Sequence, residues 1–138
     1  MVSLAVLSSP TPDQIHQIIS LYRYEGWWSE ETDDPELVSG IVAGSYLFII
    51  ALKEDEIVGM GRAISDGTSD AYIQDVTVKK AYRGQGIGTT IINELIKGLR
   101  ADGIGWIGLI AEKGSHGFYT RLGFHRMQDS VPLLNQRP

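Results

Sequence analysis

Arg83-Gly84-Gln85-Gly86-Ile87-Gly88 puts an arginine and three glycines within six residues, just ahead of an apolar stretch with helical spacing. Glycines at such a junction let the backbone approach a ligand and turn amide N–H groups toward it. The start of the helix that follows adds partial positive charge, so the expected guest is an anion, most often a phosphate. Lys79, Lys80 and Arg83 set cationic side chains beside the loop in a chain that is acidic overall. Spacing narrows the ligand. A P-loop carries Lys and a hydroxyl residue after its last glycine, whereas Gly88 is followed by Thr89-Thr90. A dinucleotide fingerprint counted from Gly84 wants glycine where Thr89 stands, and its strand opens the domain, whereas half the chain precedes this one. Taken alone, the glycines also fit a tight turn with close helix packing and no ligand.

The elements that position this loop follow from periodicity. Residues 2–7 form an opening strand, broken by Ser8 to Pro12. Thr11-Pro12-Asp13-Gln14 is a capping box with proline in the first turn. Ile15, Ile18, Ile19 and Tyr22 then share one face, which predicts a first helix from Pro12 to the region of Tyr24. Gly26-Trp27-Trp28 interrupts it. Asp34 caps a second helix that runs through Leu37, Val38 and Ile41 until Gly44 stops it. Residues 46–52 and 57–64 read as a β-hairpin, and 72–78 as the third strand of an antiparallel meander. Gly88, Ile91, Ile92, Leu95, Ile96 and Leu99 line one face of a long helix ended by Gly103, and 106–111 is a short buried strand. A strand, helix and strand in succession imply a right-handed crossover and a parallel pair. Residues 115–122, closed by Gly123, make a last helix, and a final strand is expected from Phe124 onward. The order β-α-α-β-β-β-α-β-α-β defines an α/β fold with a sheet of mixed direction.

With 138 residues the chain suits one domain, 1–138. Its net charge of −5 argues against partners such as nucleic acid or an anionic membrane. It has no cysteine, which excludes disulfides, thiolate metal sites and a cysteine nucleophile. His16, His116 and His125 form no metal-ligand pattern, so no metal is expected. No apolar run approaches the ~18 residues of a membrane span. Residues 1–7 lack the pattern of a signal peptide, which makes a cytoplasmic setting the expectation.

The stretch from Asp75 to Gly88 resembles the acyl-CoA-binding signature of the GNAT superfamily of N-acetyltransferases. That signature is Arg or Gln, two residues, Gly, one residue, then Gly or Ala; Arg83, Gly86 and Gly88 fill its fixed places. Downstream, Gly117-Phe-Tyr-Thr-Arg-Leu-Gly-Phe124 is similar to the second family hallmark, a tyrosine on a short helix ending in Gly-Phe. The resemblance covers 46–126 most clearly. It implies a splayed parallel strand pair, 72–78 and 106–111, with a pantetheine arm between them. Backbone groups of Val76, Thr77 and Val78 would bind that arm like an added strand. Arg83, Gly84, Gln85, Gly86, Ile87, Gly88 and Thr89 would hold the pyrophosphate. Where many family members carry Asn, seven residues before the tyrosine, this chain has Glu112, so one pantetheine contact departs from the pattern.

Acetyl transfer needs a neutral amine, a donor for the developing oxyanion and a proton for the leaving thiolate. The resemblance implies a backbone N–H near Val76 as the donor. Tyr119 is the candidate general acid, since a phenol with pKa near ~10 can protonate a thiolate whose conjugate acid lies near ~8.5. Asp75 is the candidate base, with a structural carboxylate as the equal alternative; Glu25 is another option, and ordered water a third. Glu25, Trp27 and Trp28 lie in the segment that forms an acceptor wall in this family, where tryptophans stack an aromatic or cationic amine. Packing onto the core is the competing role for at least one of them. Together these residues point to direct transfer from acetyl-CoA to a primary amine of a small molecule. Rival readings are a protein or peptide amine, an inactive CoA-binding regulatory module, and a nucleotide-binding protein. A homodimer is also implied by the family.

Overall fold

Thr11 opens the first helix as a reciprocal cap. Its hydroxyl accepts from Gln14 N at 3.1 Å while Gln14 Oε1 accepts from Thr11 N at 2.9 Å, which satisfies two otherwise unpaired amides. In the computed structural model, which describes residues 1–138, α1 runs Pro12–Tyr24 and buries Ile18, Ile19, Leu21 and Tyr22. Asp34 accepts from Leu37 N at 3.0 Å and starts α2 (Pro35–Gly44). Both helices therefore begin where the capping residues place them.

The chain divides into two compact units, Met1–Gly108 and Leu109–Pro138. The first is built on strands β1 (Val2–Val6), β2 (Leu47–Lys53), β3 (Glu56–Ser65), β4 (Asp70–Val78) and β5 (Trp106–Leu109), ordered in the sheet as numbered. β1 to β4 pair antiparallel. A 3-10 turn (Lys80–Tyr82) and α3 (Ile87–Ala101) then carry the chain back to the same sheet, and β5 beside β4 supplies the parallel pair. The edge-on rings of Tyr72 and Trp106, with centroids 5.4 Å apart, join the starting ends of these two strands.

One sheet face is covered by α1 and α2, where Phe48, Ile50 and Met60 cluster with Ile18, Leu21 and Val38. The other is covered by α3, which comes so close that β3 carries glycine there. A Cβ on Gly61 would lie 2.8 Å from Ile91 Cγ2 and 3.3 Å from Val76 Cγ2. Gly61→Ala is therefore expected to cost about 1–3 kcal/mol through displacement of α3. Urea unfolding should show a lower midpoint at unchanged slope.

Opposite Gly61 the ladder is irregular. Met60 pairs with Thr77 and Arg62 with Gln74, so Asp75 and Val76 together face one residue. This is a β-bulge, and Asp75 takes the left-handed conformation at φ 57°. The extra residue reverses the alternation of β4. Ile73, opposite Ala63, lies on the α3 face, and so do Val76 and Val78 beyond the bulge. Thr77 and the Asp75 side chain are thereby sent to the α1 side.

The second unit contains α4 (His116–Thr120), shorter than the expected helix over 115–122. The final strand expected from Phe124 does not form: 124–138 carry neither helix nor strand. Gln128-Asp129-Ser130 divides its apolar residues into two short pieces, Asp129 turns left-handed at φ 52°, and Pro132 lacks the N–H a ladder needs. Met127, Val131, Leu133 and Leu134 remain exposed.

Candidate active site

The glycine loop ends in a helix start that nothing in the protein caps. Gly84 and Gly86 have φ 79° and 82°, and neither would crowd a neighbour if it carried a Cβ, so backbone conformation is what calls for glycine. Gly86 is the N-cap of α3; no side chain caps it and the first turn holds no acidic residue. Thr90 N bonds back to Gly86 O at 3.0 Å, while the amides before it have no partner within the helix. A depression of about 290 Å³ beside the loop is lined by Gln85, Gly86, Ile87 and Thr90 and, from β1, by Val2 and Leu4, so it opens toward the β1 edge of the sheet. Unpaired amides and the helix dipole favour an anion at this point.

Two of the basic side chains near the loop, Arg83 and Lys79, are engaged elsewhere. Arg83 folds back on β4, its Nε donating to Val78 O at 2.9 Å and its Nη2 lying 3.4 Å from Glu25 Oε1. Lys79 pairs with Glu56 at 2.8 Å, and Tyr82 OH donates to the same carboxylate at 3.1 Å. These two bonds hold the Glu56 carboxyl below its usual range.

Two carboxylates lie on the α1 side of β4, one from α1 and one from β4 itself. Glu25, which ends α1, accepts from Thr77 Oγ1 at 2.8 Å. Asp75 Oδ2 accepts from Tyr22 OH at 2.7 Å and from Arg62 Nε at 2.6 Å. Asp75 is thus no isolated base; its partners are side chains rather than backbone. Tyr22 also stacks on Trp28 with centroids 4.3 Å apart and meets Trp27 edge-on at 5.8 Å. Both tryptophans are half-buried and pack against the core, so the packing role holds for each. Tyr22 and Arg62 escaped the sequence reading. Tyr22 counted as core, while Arg62 was visible as a lone charge inside the apolar run 57–64.

Burial first, and then the neighbouring Asp75 carboxylate, push the Tyr22 phenol well above the ordinary tyrosine range, with Arg62 opposing. The folded state therefore keeps a proton that the unfolded chain gives up near pH ~10. Stability from this site is complete below that pH and is lost as pH rises past it. Urea midpoints between pH ~9 and ~11.5 should fall, and Tyr22→Phe should flatten the fall.

In the second unit, Tyr119 is half-buried between Phe118 and Phe124, with ring centroids at 5.0 and 5.8 Å. Burial, and then the charge of Glu112, raise its phenol above the usual range. No group of three or more His, Asp and Glu is placed to hold a metal.

The first unit is thus an α/β sheet whose bulged fourth strand runs into a glycine turn and a helix start that no side chain caps. Residues 12–124 match the family model described as the acetyltransferase (GNAT) family. The chain belongs to that family, whose members use acetyl-CoA as co-substrate. It is 30% identical over 128 residues to the uncharacterized N-acetyltransferase ycf52 of Pyropia yezoensis, a match covering 91% of this chain and 72% of that protein. It is 40% identical over 79 residues to GCN5-related N-acetyltransferase 2, chloroplastic, of Arabidopsis thaliana, over 57% of this chain and only 31% of that longer protein. Other relatives matched over a similar stretch are named histone acetyltransferase TAP1, in Glycine max, and serotonin N-acetyltransferase 2, chloroplastic, in Oryza sativa. Among solved structures, a probable acetyltransferase from meticillin-resistant Staphylococcus aureus superposes with TM-score 0.81 at 24% identity, covering 99% of this chain and 100% of that one. At that identity the likeness establishes the fold.

Proposed function

We propose that this protein, as one acetyltransferase domain over 1–138, moves the acetyl group of acetyl-CoA directly to a primary amine of a small molecule. The uncapped start of α3 behind Gly84 and Gly86 is the observation that carries this reading. Backbone of Arg83 to Thr89 binds the pyrophosphate, and backbone of Val76 to Val78, at the far end of β4 from Tyr72, binds the pantetheine arm as an added strand would. A bulge leaves its extra residue out of the ladder, which suits an amide near Val76 to receive the thioester oxygen. Asp75 takes one proton from the ammonium, the freed nitrogen attacks the carbonyl carbon, the carbon–sulfur bond breaks, Tyr119 protonates the departing thiolate, and the second nitrogen proton restores the Tyr119 phenol through water. With no cysteine there is no obvious acyl-enzyme nucleophile, which favours direct transfer.

Glu25, Trp27 and Trp28 form the acceptor side. Relatives named for histone and for serotonin acetylation mark the two acceptor classes. The small amine is preferred because Asp75, Tyr22 and Trp28 sit together as a carboxylate beside aromatic rings. The setting proposed is the cytoplasm, with a homodimer as the assembly. Thermal shifts with acetyl-CoA and with ATP, then thiol release over an amine and peptide panel, test the reading. Stabilisation by acetyl-CoA alone and release with small amines are expected. Binding without release from any amine would leave a CoA-binding module, and faster release with peptides would select the protein-acetylating alternative.

A further inference from the structure

Three elements converge on one side-chain oxygen. Tyr22 from α1 and Arg62 from β3 both donate to Asp75 Oδ2, at 2.7 and 2.6 Å. Arg62 is steadied in turn by Ser45, whose Oγ lies 3.4 Å from Nη1 and itself donates to Ile41 O at 2.6 Å. Asp75 stands at a left-handed φ, a costly backbone conformation that persists only where its surroundings over-determine it. Since both side-chain bonds end on Oδ2, Oδ1 is left for another donor.

We propose that Arg62 and Tyr22 are positioning residues for acetyl transfer. They fasten Oδ2 so that Oδ1 is held for the acceptor's ammonium group, which surrenders a proton there before its nitrogen attacks. This rests on the reading of Asp75 as the proton acceptor. A bulge needs no such arrangement: asparagine accepts the same left-handed backbone and would require no cation beside it. A guanidinium with only 14% of its side chain exposed, set inside an apolar strand, makes sense where the partner is a carboxylate when the amine arrives. The acceptor class follows. The site serves amines that arrive protonated, alkyl or arylalkyl, and gives no advantage to one already neutral.

The test compares phenethylamine, a cation at pH 7, with aniline, neutral at that pH, under saturating acetyl-CoA. Each variant is first checked for an intact unfolding transition. Asp75→Asn should lower kcat/KM for phenethylamine about a hundredfold and for aniline by less than about threefold. Arg62→Gln should lower the phenethylamine-to-aniline ratio about tenfold and Tyr22→Phe about threefold, with Arg62→Lys recovering part of the loss. If Asp75→Asn is selective but Arg62→Gln lowers both acceptors equally, the positioning role is wrong and the reading of Asp75 stands. If Asp75→Asn leaves the ratio unchanged, that reading fails and the proposal with it. A wild type that prefers aniline, or accepts neither amine, overturns the proposed acceptor class. Should Arg62→Gln not fold, Tyr22→Phe and Arg62→Lys decide: an unchanged ratio in both sinks the idea.

Discussion

Thr89→Glu is expected to make α3 slightly more stable while nearly abolishing acetyl-CoA binding. Thr89 is the third residue of a helix that no side chain caps and whose first turn has no acid. A carboxylate there meets the helix dipole and unpaired amides, worth about 0.3–1 kcal/mol to folding. The same amides are those proposed to hold the pyrophosphate, so the new charge competes for them and repels the ligand. Like charges about 4 Å apart at an effective dielectric near 20 repel by roughly 4 kcal/mol, which predicts a loss of at least about a hundredfold in affinity. Calorimetric titration and the thermal midpoint read the two effects separately. Unchanged acetyl-CoA affinity would remove the α3 start from the binding site, because opposite signs for stability and binding cannot arise from misfolding.

Tyr119→Phe should lower kcat about 10²–10⁴-fold and leave acetyl-CoA affinity within about twofold, the pattern for loss of a general acid. The substitution removes a single hydroxyl and keeps the ring between Phe118 and Phe124. Burial and Glu112 raise this phenol, so the acid form persists to higher pH than in a free tyrosine. Activity depending on it is complete below the ordinary value near ~10 and is lost only as pH passes the raised one. The alkaline limb of the kcat profile should therefore lie above that of a free phenol, and Glu112→Gln should draw it downward. A Phe variant with full kcat would assign the thiolate's proton to water.

Much of the scaffold was legible because its signals are local. Thr11 with Gln14, and Asp34 with Pro35, set the starts of both early helices within a few bonds of themselves. The apolar face of α3 follows from its 3.6-residue period. The loop from Arg83 to Gly88 was equally readable, since left-handed backbone at Gly84 and Gly86 calls for glycine. The bulge was not. Nothing local in Gln74-Asp75-Val76 announces it; the extra residue is defined by pairing with β3. For the same reason the convergence of Tyr22 and Arg62 on Asp75, 53 and 13 residues away, lay beyond spacing arguments. The missing last strand failed differently: its apolar residues were counted, but Pro132 and the turn at Asp129 were given too little weight.

The reversal of sidedness within β4 has a consequence for how such a molecule could fall silent. Pairing between β3 and β4 would be regular if Asp75 were simply missing, since Gln74, Val76 and Thr77 would then face Arg62, Gly61 and Met60 in turn. The backbone has no use of its own for the residue that carries the carboxylate. Loss of one codon would heal the ladder and, in the same event, remove the carboxylate on which Tyr22 and Arg62 converge, so a regular strand pair and this three-residue cluster exclude each other.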